Sequence, residues 1–206
     1  MSRKAAKLWT IWRQLPGNLL PILFCAPFLA LALREFGDAG ATTLFFVWVA
    51  SFCVSGWLAI NFLGLTGNRS LKRTLRRRLP VLYEDLTADS IFVGFSRPGH
   101  RGLLDPHQDI GFLVIGENDL TFFGEIQKFS LEKDLITSIS SKPNIHSVLF
   151  LGGWIAITAQ AGERLYQMRI EPREKSTLLG NNRYRRRLIR QLNDWRSASA
   201  EPREMP

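Results

Sequence analysis

Two long stretches of this chain carry no charge at all: Gln14 to Leu33, and Ala39 to Asn68. Their apolar hearts read LLPILFCAPFLALAL (Leu19–Leu33) and LFFVWVASFCVSGWLAINFLGL (Leu44–Leu65). A helix needs about 20 predominantly apolar residues to cross the hydrocarbon core of a bilayer. The second stretch meets that length outright; the first meets it with Leu15–Asn18 at its edge. Neither shows the polar stripe of an amphipathic helix in a soluble core. Pro21 and Pro27 would break a helix in water, but membrane helices accommodate proline. The sequence therefore predicts two spans, at about 18–34 and 43–65, joined as a helical hairpin by the near-neutral connection Arg34–Ala41.

The charges flanking the hairpin orient it. Lys and Arg are enriched on the cytoplasmic side of membrane spans. Arg3, Lys4, Lys7 and Arg13 precede the first span, and NRSLKRTLRRRLP (Asn68–Pro80) follows the second with Arg69, Lys72, Arg73, Arg76, Arg77 and Arg78. Both termini are expected in the cytoplasm and the loop outside, at the cell (inner) membrane. A juxtamembrane cluster of this kind also suits anionic lipid headgroups. A nucleic-acid surface normally comes with a fold that presents it, and none is legible here, so no nucleic acid is expected. The competing pattern Ala30-Leu31-Ala32 has the form of a signal-peptide cleavage site. It would leave 44–65 as a lone anchor, and the long patterned segment ahead of the apolar run argues against it. In that segment Leu8, Ile11, Trp12 and Leu15 share one helical face, so residues 1–16 read as an interfacial amphipathic helix or as an extension of the first span.

The overall excess of 27 basic over 18 acidic residues is not spread evenly. It sits in residues 1–13, 69–78 and 183–190, whereas Leu86–Asn182 is slightly acidic. Cys25 and Cys53 both fall within the apolar runs and form neither a CxxC pair nor a disulfide framework; both read as buried thiols. Asn61, with Ser51 and Ser55, gives the second span some polarity suited to interhelical hydrogen bonding, with the first span or a second copy of the chain. No charge lies within either span, which argues against an ion or proton pathway.

After the basic linker (68–85) the pattern changes to short apolar segments separated by turn residues. These are Ile91–Ser96, Asp109–Ile115, Leu120–Gly124, Ile126–Leu131, Leu135–Ser140, His146–Leu151, Trp154–Ala159 and Arg164–Glu171. Such spacing predicts an antiparallel sheet or barrel. A last segment, NRYRRRLIRQLNDW, places Tyr184, Leu188, Leu192 and Trp195 on one helical face and Arg183, Arg186, Arg187 and Arg190 on the other. Those arginines read first as a solvated face. The tail 197–206 is small, polar and proline-bearing, and is expected to be disordered.

Seven strands from Asp109 to Glu171 followed by one helix resemble the pleckstrin-homology superfamily, in particular bacterial PH-like and GRAM-like domains. GFLVIGENDLTFFGEIQKFSLEKDLITSIS (Gly111–Ser140) carries the resemblance, with Leu188–Trp195 as the closing helix. The resemblance covers about half the chain and implies an α+β membrane protein: a hairpin bearing a PH-like domain over 86–196. Ile91–Ser96 and the loop after it stand outside the pattern as an addition. Phosphoinositide-binding members carry basic residues around the first strand pair. Here that turn is Gly116-Glu117-Asn118-Asp119, doubly acidic, so that ligand does not transfer.

One polar constellation remains. His100, Asp105, His107 and Asp109 lie close in sequence and offer imidazole and carboxylate ligands for a zinc-like cation. Their separations match no standard site, and Pro98, Gly99, Gly102 and Pro106 make an ordinary surface loop the simpler reading. His146 reads as a strand or loop residue. Dinucleotide, P-loop, GxSxG and HExxH signatures are absent, and no cofactor is expected. The sequence points to a membrane-anchored binding or scaffolding module for a protein partner or an anionic membrane surface. The alternative is a membrane-anchored metal-dependent enzyme using His100, Asp105, His107 and Asp109.

Overall fold

A computed structural model describes residues 8–81, 83, 86, 89–100 and 106–198. Helix α1 runs unbroken over Ile11–Ala39 with Pro16, Pro21 and Pro27 inside it, and α2 spans Thr43–Leu63. The amphipathic helix expected over residues 1–16 is thus not a separate element. Its described part merges into α1, and residues 1–7 lie outside the described residues. The connection is also shorter than Arg34–Ala41. Arg34, Glu35 and Asp38 belong to the end of α1, and Gly40 turns the chain at φ 75°. Thr42 then caps α2, accepting from the Phe45 N–H at 3.1 Å while its hydroxyl donates to Glu35 at 2.7 Å. At 1.5 Å per residue α1 is roughly 43 Å long, more than the ~30 Å hydrocarbon core.

Small residues let α1 and α2 touch. A Cβ on Gly17 would lie 2.7 Å from the Gly64 carbonyl oxygen, and one on Gly56 would rest 3.8 Å from Cys25 Sγ. Cys25, Ala32, Ser55 and Ala59 are buried along this seam. Cys53, expected to be buried, is exposed, because it turns away from the seam. Both helices are long and apolar enough to cross a membrane, yet only 17% and 11% of their most apolar windows are buried. A core helix of a soluble protein would bury most of that surface. Here Leu23, Phe24, Phe46 and Val54 stand outward.

Seven antiparallel strands form one sheet: β1 Ile91–Ser96, β2 Asp109–Ile115, β3 Asp119–Gly124, β4 Lys128–Glu132, β5 Ile136–Lys142, β6 Trp154–Ala161 and β7 Arg164–Pro172, in the order β4-β3-β2-β1-β7-β6-β5. β4 and β5 are consecutive in sequence yet occupy opposite edges. A flat sheet would hold those edges roughly 28 Å apart. The four Cα–Cα steps from Glu132 to Ile136, through a 3₁₀ turn at Lys133–Leu135, reach at most about 15 Å. The sheet must therefore curl back on itself.

Two expectations about the strands need correction. Ile91–Ser96 is not an addition outside the pattern but the central strand, pairing Phe92 with Phe112 on one side and Phe95 with Ile170 on the other. His146–Leu151 is not a strand. Ile145–Leu149 form a 3₁₀ helix capped by Asn144, and Phe150 adopts a left-handed φ of 59°.

β1 is buried along its whole length because the sheet is covered on both faces. Val93 and Phe95 join Leu113, Phe122, Ile155, Ile157 and Ile170 inside the curl, which α4 (Leu178–Ser197) closes with Leu188 and Leu192. On the other face Phe92, Ile110 and Phe112 pack under α3 (Asn68–Arg78) through Leu71, Leu75 and neighbouring Leu79, with Trp9 beside them. Two-sided burial explains the continuous apolar run IFVGF, which lacks the in–out alternation of a half-buried strand.

Candidate functional site

The six cations of the basic run part ways once α3 forms. Leu71 and Leu75 fix the inward face, so residues at their flanks reach the sheet. Lys72 pairs with Glu174. Arg76 donates to the Ser90 hydroxyl at 2.5 Å and the Ser90 carbonyl at 2.9 Å, and its guanidinium stacks 4.2 Å over the Phe112 ring. Arg78 lies 3.3 Å from Glu125, whose carboxylate also accepts the backbone N–H groups of Leu8 and Trp9. Arg69, Arg73 and Arg77, four residues apart, stand exposed on the outer face. There they border an open basin of about 670 Å³ with Gly67, Ser70 and Ser176.

On α4, Arg183, Arg186, Arg187 and Arg190 are exposed as the periodicity predicts. Arg185, which faces the other way, is buried and donates to Ser141 Oγ at 2.5 Å, Asn182 Oδ1 at 3.1 Å and the Trp154 carbonyl at 3.4 Å. Burial lowers its pKa, partly offset by the Glu171 carboxylate.

The loop candidates do not converge. His100 is exposed, and Asp105 lies outside the described residues. Asp109 is buried at the start of β2 and accepts backbone N–H groups from Ile110, Ile126 and Gln127 at 2.8, 2.9 and 3.1 Å. It therefore fastens the β3–β4 turn. Burial raises its pKa despite those three bonds. His107 points elsewhere: its Nε2 is 3.1 Å from Glu171 Oε2, and its ring meets Trp154 edge-on at 5.1 Å. Among the described residues no group of three or more His, Cys, Asp or Glu side chains is placed to hold a metal ion.

What the structure assembles instead is a buried polar chain joining segments far apart in sequence. Asn68, at the start of α3, donates to the Arg173 carbonyl at 2.7 Å and accepts from Arg173 Nε at 3.0 Å. Arg173 Nη1 lies 3.4 Å from His107 Nδ1, and its guanidinium sits 4.8 Å over the Trp9 ring. Arginine has no acceptor, so Nδ1 must accept and Nε2 carries the proton beside Glu171. Glu171 Oε1 faces His146 Nδ1 and the Gly153 N–H, each at 3.3 Å. Burial alone would raise the Glu171 pKa, but the two histidines outweigh it and hold the carboxyl well below the ordinary glutamate range. Glycine is required twice around this chain. A Cβ on Gly94 would collide with the His107 ring, and one on Gly152 with the Glu171 carboxylate.

His146 is therefore a partner of Glu171 and more than a loop residue. Asn61, read as an interhelical group, instead accepts the Leu179 N–H at 2.9 Å in the first turn of α4. Trp57 Nε1 likewise donates to the Leu149 carbonyl at 3.0 Å. Sequence spacing missed Glu171, Arg173 and Arg185. The first two close a strand pattern in which Glu171-Pro172-Arg173 looks like ordinary turn polarity, and Arg185 is hidden inside an arginine run. No protein-family model, curated protein or solved structure matches the chain.

Proposed function

We propose that the protein is a membrane-anchored, non-catalytic binding module: a two-span hairpin with both termini in the cytoplasm, holding a PH-like domain against the inner face of the cell membrane. The observation that carries this reading is the division of charge on α3. Arg69, Arg73 and Arg77 form an exposed cationic stripe that begins six residues after the end of α2, with Lys72, Arg76 and Arg78 engaged by the domain beneath. Each basic residue near an anionic bilayer surface contributes about 1 kcal/mol of attraction. The strand order β4-β3-β2-β1-β7-β6-β5, the curl between β4 and β5, and the single closing helix support the PH-like assignment. The exposed arginines of α4 form a second surface, suited to an acidic protein partner. Fold likeness alone assigns no ligand.

The test is placement of single cysteines at Arg73 or Arg77 in the full chain, in vesicles of zwitterionic lipid with or without phosphatidylglycerol. The proposal expects labelling by a water-soluble maleimide to slow when the anionic lipid is present, and to recover in high salt. Equal labelling rates in both vesicles would count against headgroup binding by this face.

A further inference from the structure

We propose that the cavity between the hairpin and the domain is a binding site for one phospholipid molecule, drawn from the bilayer with its phosphate at the domain end. This rests on the hairpin lying in a membrane, and goes beyond surface attraction by the α3 stripe.

The cavity has a volume of about 800 Å³, within the usual range for small-molecule sites. Two groups line it. Cys25 and Gly56, which lie against each other, form the first with Ile22 and Phe52 of α1 and α2. Trp9, Arg173, His107 and Glu171, which adjoin one another in the buried polar chain, form the second with Arg13 and Asn144. A purely apolar ligand would leave the second group without acceptors, and a free polar ion would leave the first group against water. An amphiphile satisfies both ends.

The sign of the polar end follows from which hydrogen-bonding groups remain open. Trp9 is 5% exposed and its indole Nε1–H has no hydrogen-bond partner, nor has the buried Asn144 Nδ2. Both are donors. A buried donor without an acceptor costs about 1–3 kcal/mol, so a ligand supplying oxygens there is favoured. The exposed guanidinium of Arg13 adds positive charge at the same end. Among the described lining residues the one carboxylate, Glu171, already faces His107 and His146. Among the same residues the open side-chain donors and the guanidinium outnumber the one side-chain acceptor without a hydrogen bond, Glu171 Oε2, which lies 3.1 Å from His107 Nε2, and they fit phosphate oxygens.

Entry is lateral. Ile22 is 59% exposed and Cys53 is exposed, so the apolar end opens on the hairpin surface that faces lipid when the helices span the bilayer. Acyl chains can enter there without passing through water.

The test uses the full chain purified in mild detergent and examined by native mass spectrometry after exchange into lipid-free micelles. The wild-type chain is expected to retain one phospholipid. Trp9→Phe, which keeps an aromatic side chain and removes the donor, should lower retention roughly five-fold, the effect of losing one hydrogen bond. Gly56→Leu, which fills the apolar end where a Cβ meets only Cys25 at 3.8 Å, should abolish retention. Glycerol phosphate alone should not be retained, which separates a lipid from a free phosphate ester. A wild-type chain that loses all phospholipid, or retention unchanged in both variants, would overturn the proposal. Gly56→Leu is compared with wild type by thermal melting, so a misfolded variant is recognised and Trp9→Phe then decides. Recovery of the chain in the membrane fraction reports separately on the hairpin, so failure of the site and failure of the membrane reading are told apart.

Discussion

Helices α3 and α4 look alike as sequences and differ as structures. Each is an arginine-rich amphipathic helix, and they pack on opposite faces of one curled sheet. On α3 the apolar line Leu71–Leu75–Leu79 is narrow and lies over a phenylalanine-rich face. Lys72, Arg76 and Arg78 therefore fold inward at its margins and find Glu174, Ser90 with Phe112, and Glu125. On α4 the apolar face also includes Tyr184, Ile189 and Trp195, so Arg183, Arg186, Arg187 and Arg190 remain outside, Arg185 is buried, and Arg196 donates to the Thr137 carbonyl at 2.9 Å. A count of arginines does not distinguish structural from available charge; helical register relative to the leucines does.

Leu75→Ala and Leu188→Ala each remove a fully buried side chain and should each cost about 2–5 kcal/mol, read by chemical denaturation in detergent. If α3 were merely a solvated linker, Leu75→Ala would be near neutral while Leu188→Ala remained costly.

Arg76→Ala and Arg185→Ala should each destabilise by about 1.5–3 kcal/mol, the range for hydrogen bonds to charged groups. Arg77→Ala and Arg186→Ala, whose side chains are exposed, should stay within about 0.5 kcal/mol of wild type. Equal costs for Arg76→Ala and Arg77→Ala, or for Arg185→Ala and Arg186→Ala, would contradict the inward–outward division.

Gly94→Ala tests the polar chain between the two helices. Crowding of the His107 ring should cost about 1–3 kcal/mol, and Ser90→Ala should cost less, because it removes only the hydroxyl partner of Arg76. Thermal melts of both variants give the ranking.

Glu171 sets a pH dependence of known sign. Its folded-state pKa lies below the ordinary value of 4.5. The unfolded chain therefore takes up this proton first as pH falls. The stabilisation is present above about pH 4.5 and is lost as pH drops below it. His107, His146 and, more distantly, Arg185 are the charged or titratable groups around it. Asp109 acts with the opposite sign, since its raised pKa means that protonation in acid favours the folded state. Denaturation midpoints between pH 3 and 6 should fall on acidification in wild type and fall less steeply in Glu171→Gln. Parallel curves would remove Glu171 from the account.

The hairpin was the most legible part of the chain, because length and absence of charge are local properties. The sheet was legible as a class, but its membership was not: of eight strand-like segments seven form strands, whereas the sequence pattern sets Ile91–Ser96 outside and counts His146–Leu151 in. HSVLFL has strand composition, yet the Asn144 cap and the Gly152–Gly153 pair bend it into a 3₁₀ turn. IFVGFS looked peripheral because its importance lies in pairing with β7, some 75 residues later. The site was least legible. Asp109 and His107 stand two residues apart, yet β2 sends one to the β3–β4 turn and the preceding loop sends the other to Glu171. Asn61 shows the same limit: a lone amide in an apolar run gives no sign that its partner is the N–H of Leu179.

The placement of the hairpin underlies all of this, and cysteine labelling on intact cells tests it most directly. Ser2→Cys, Asp38→Cys and Ser199→Cys are made singly in a background with Cys25→Ala and Cys53→Ala, then exposed to a membrane-impermeant maleimide. Labelling at position 38 alone is the predicted result: the connection outside, both termini and the domain within. Labelling at position 199 from outside would place the domain beyond the membrane and contradict the account.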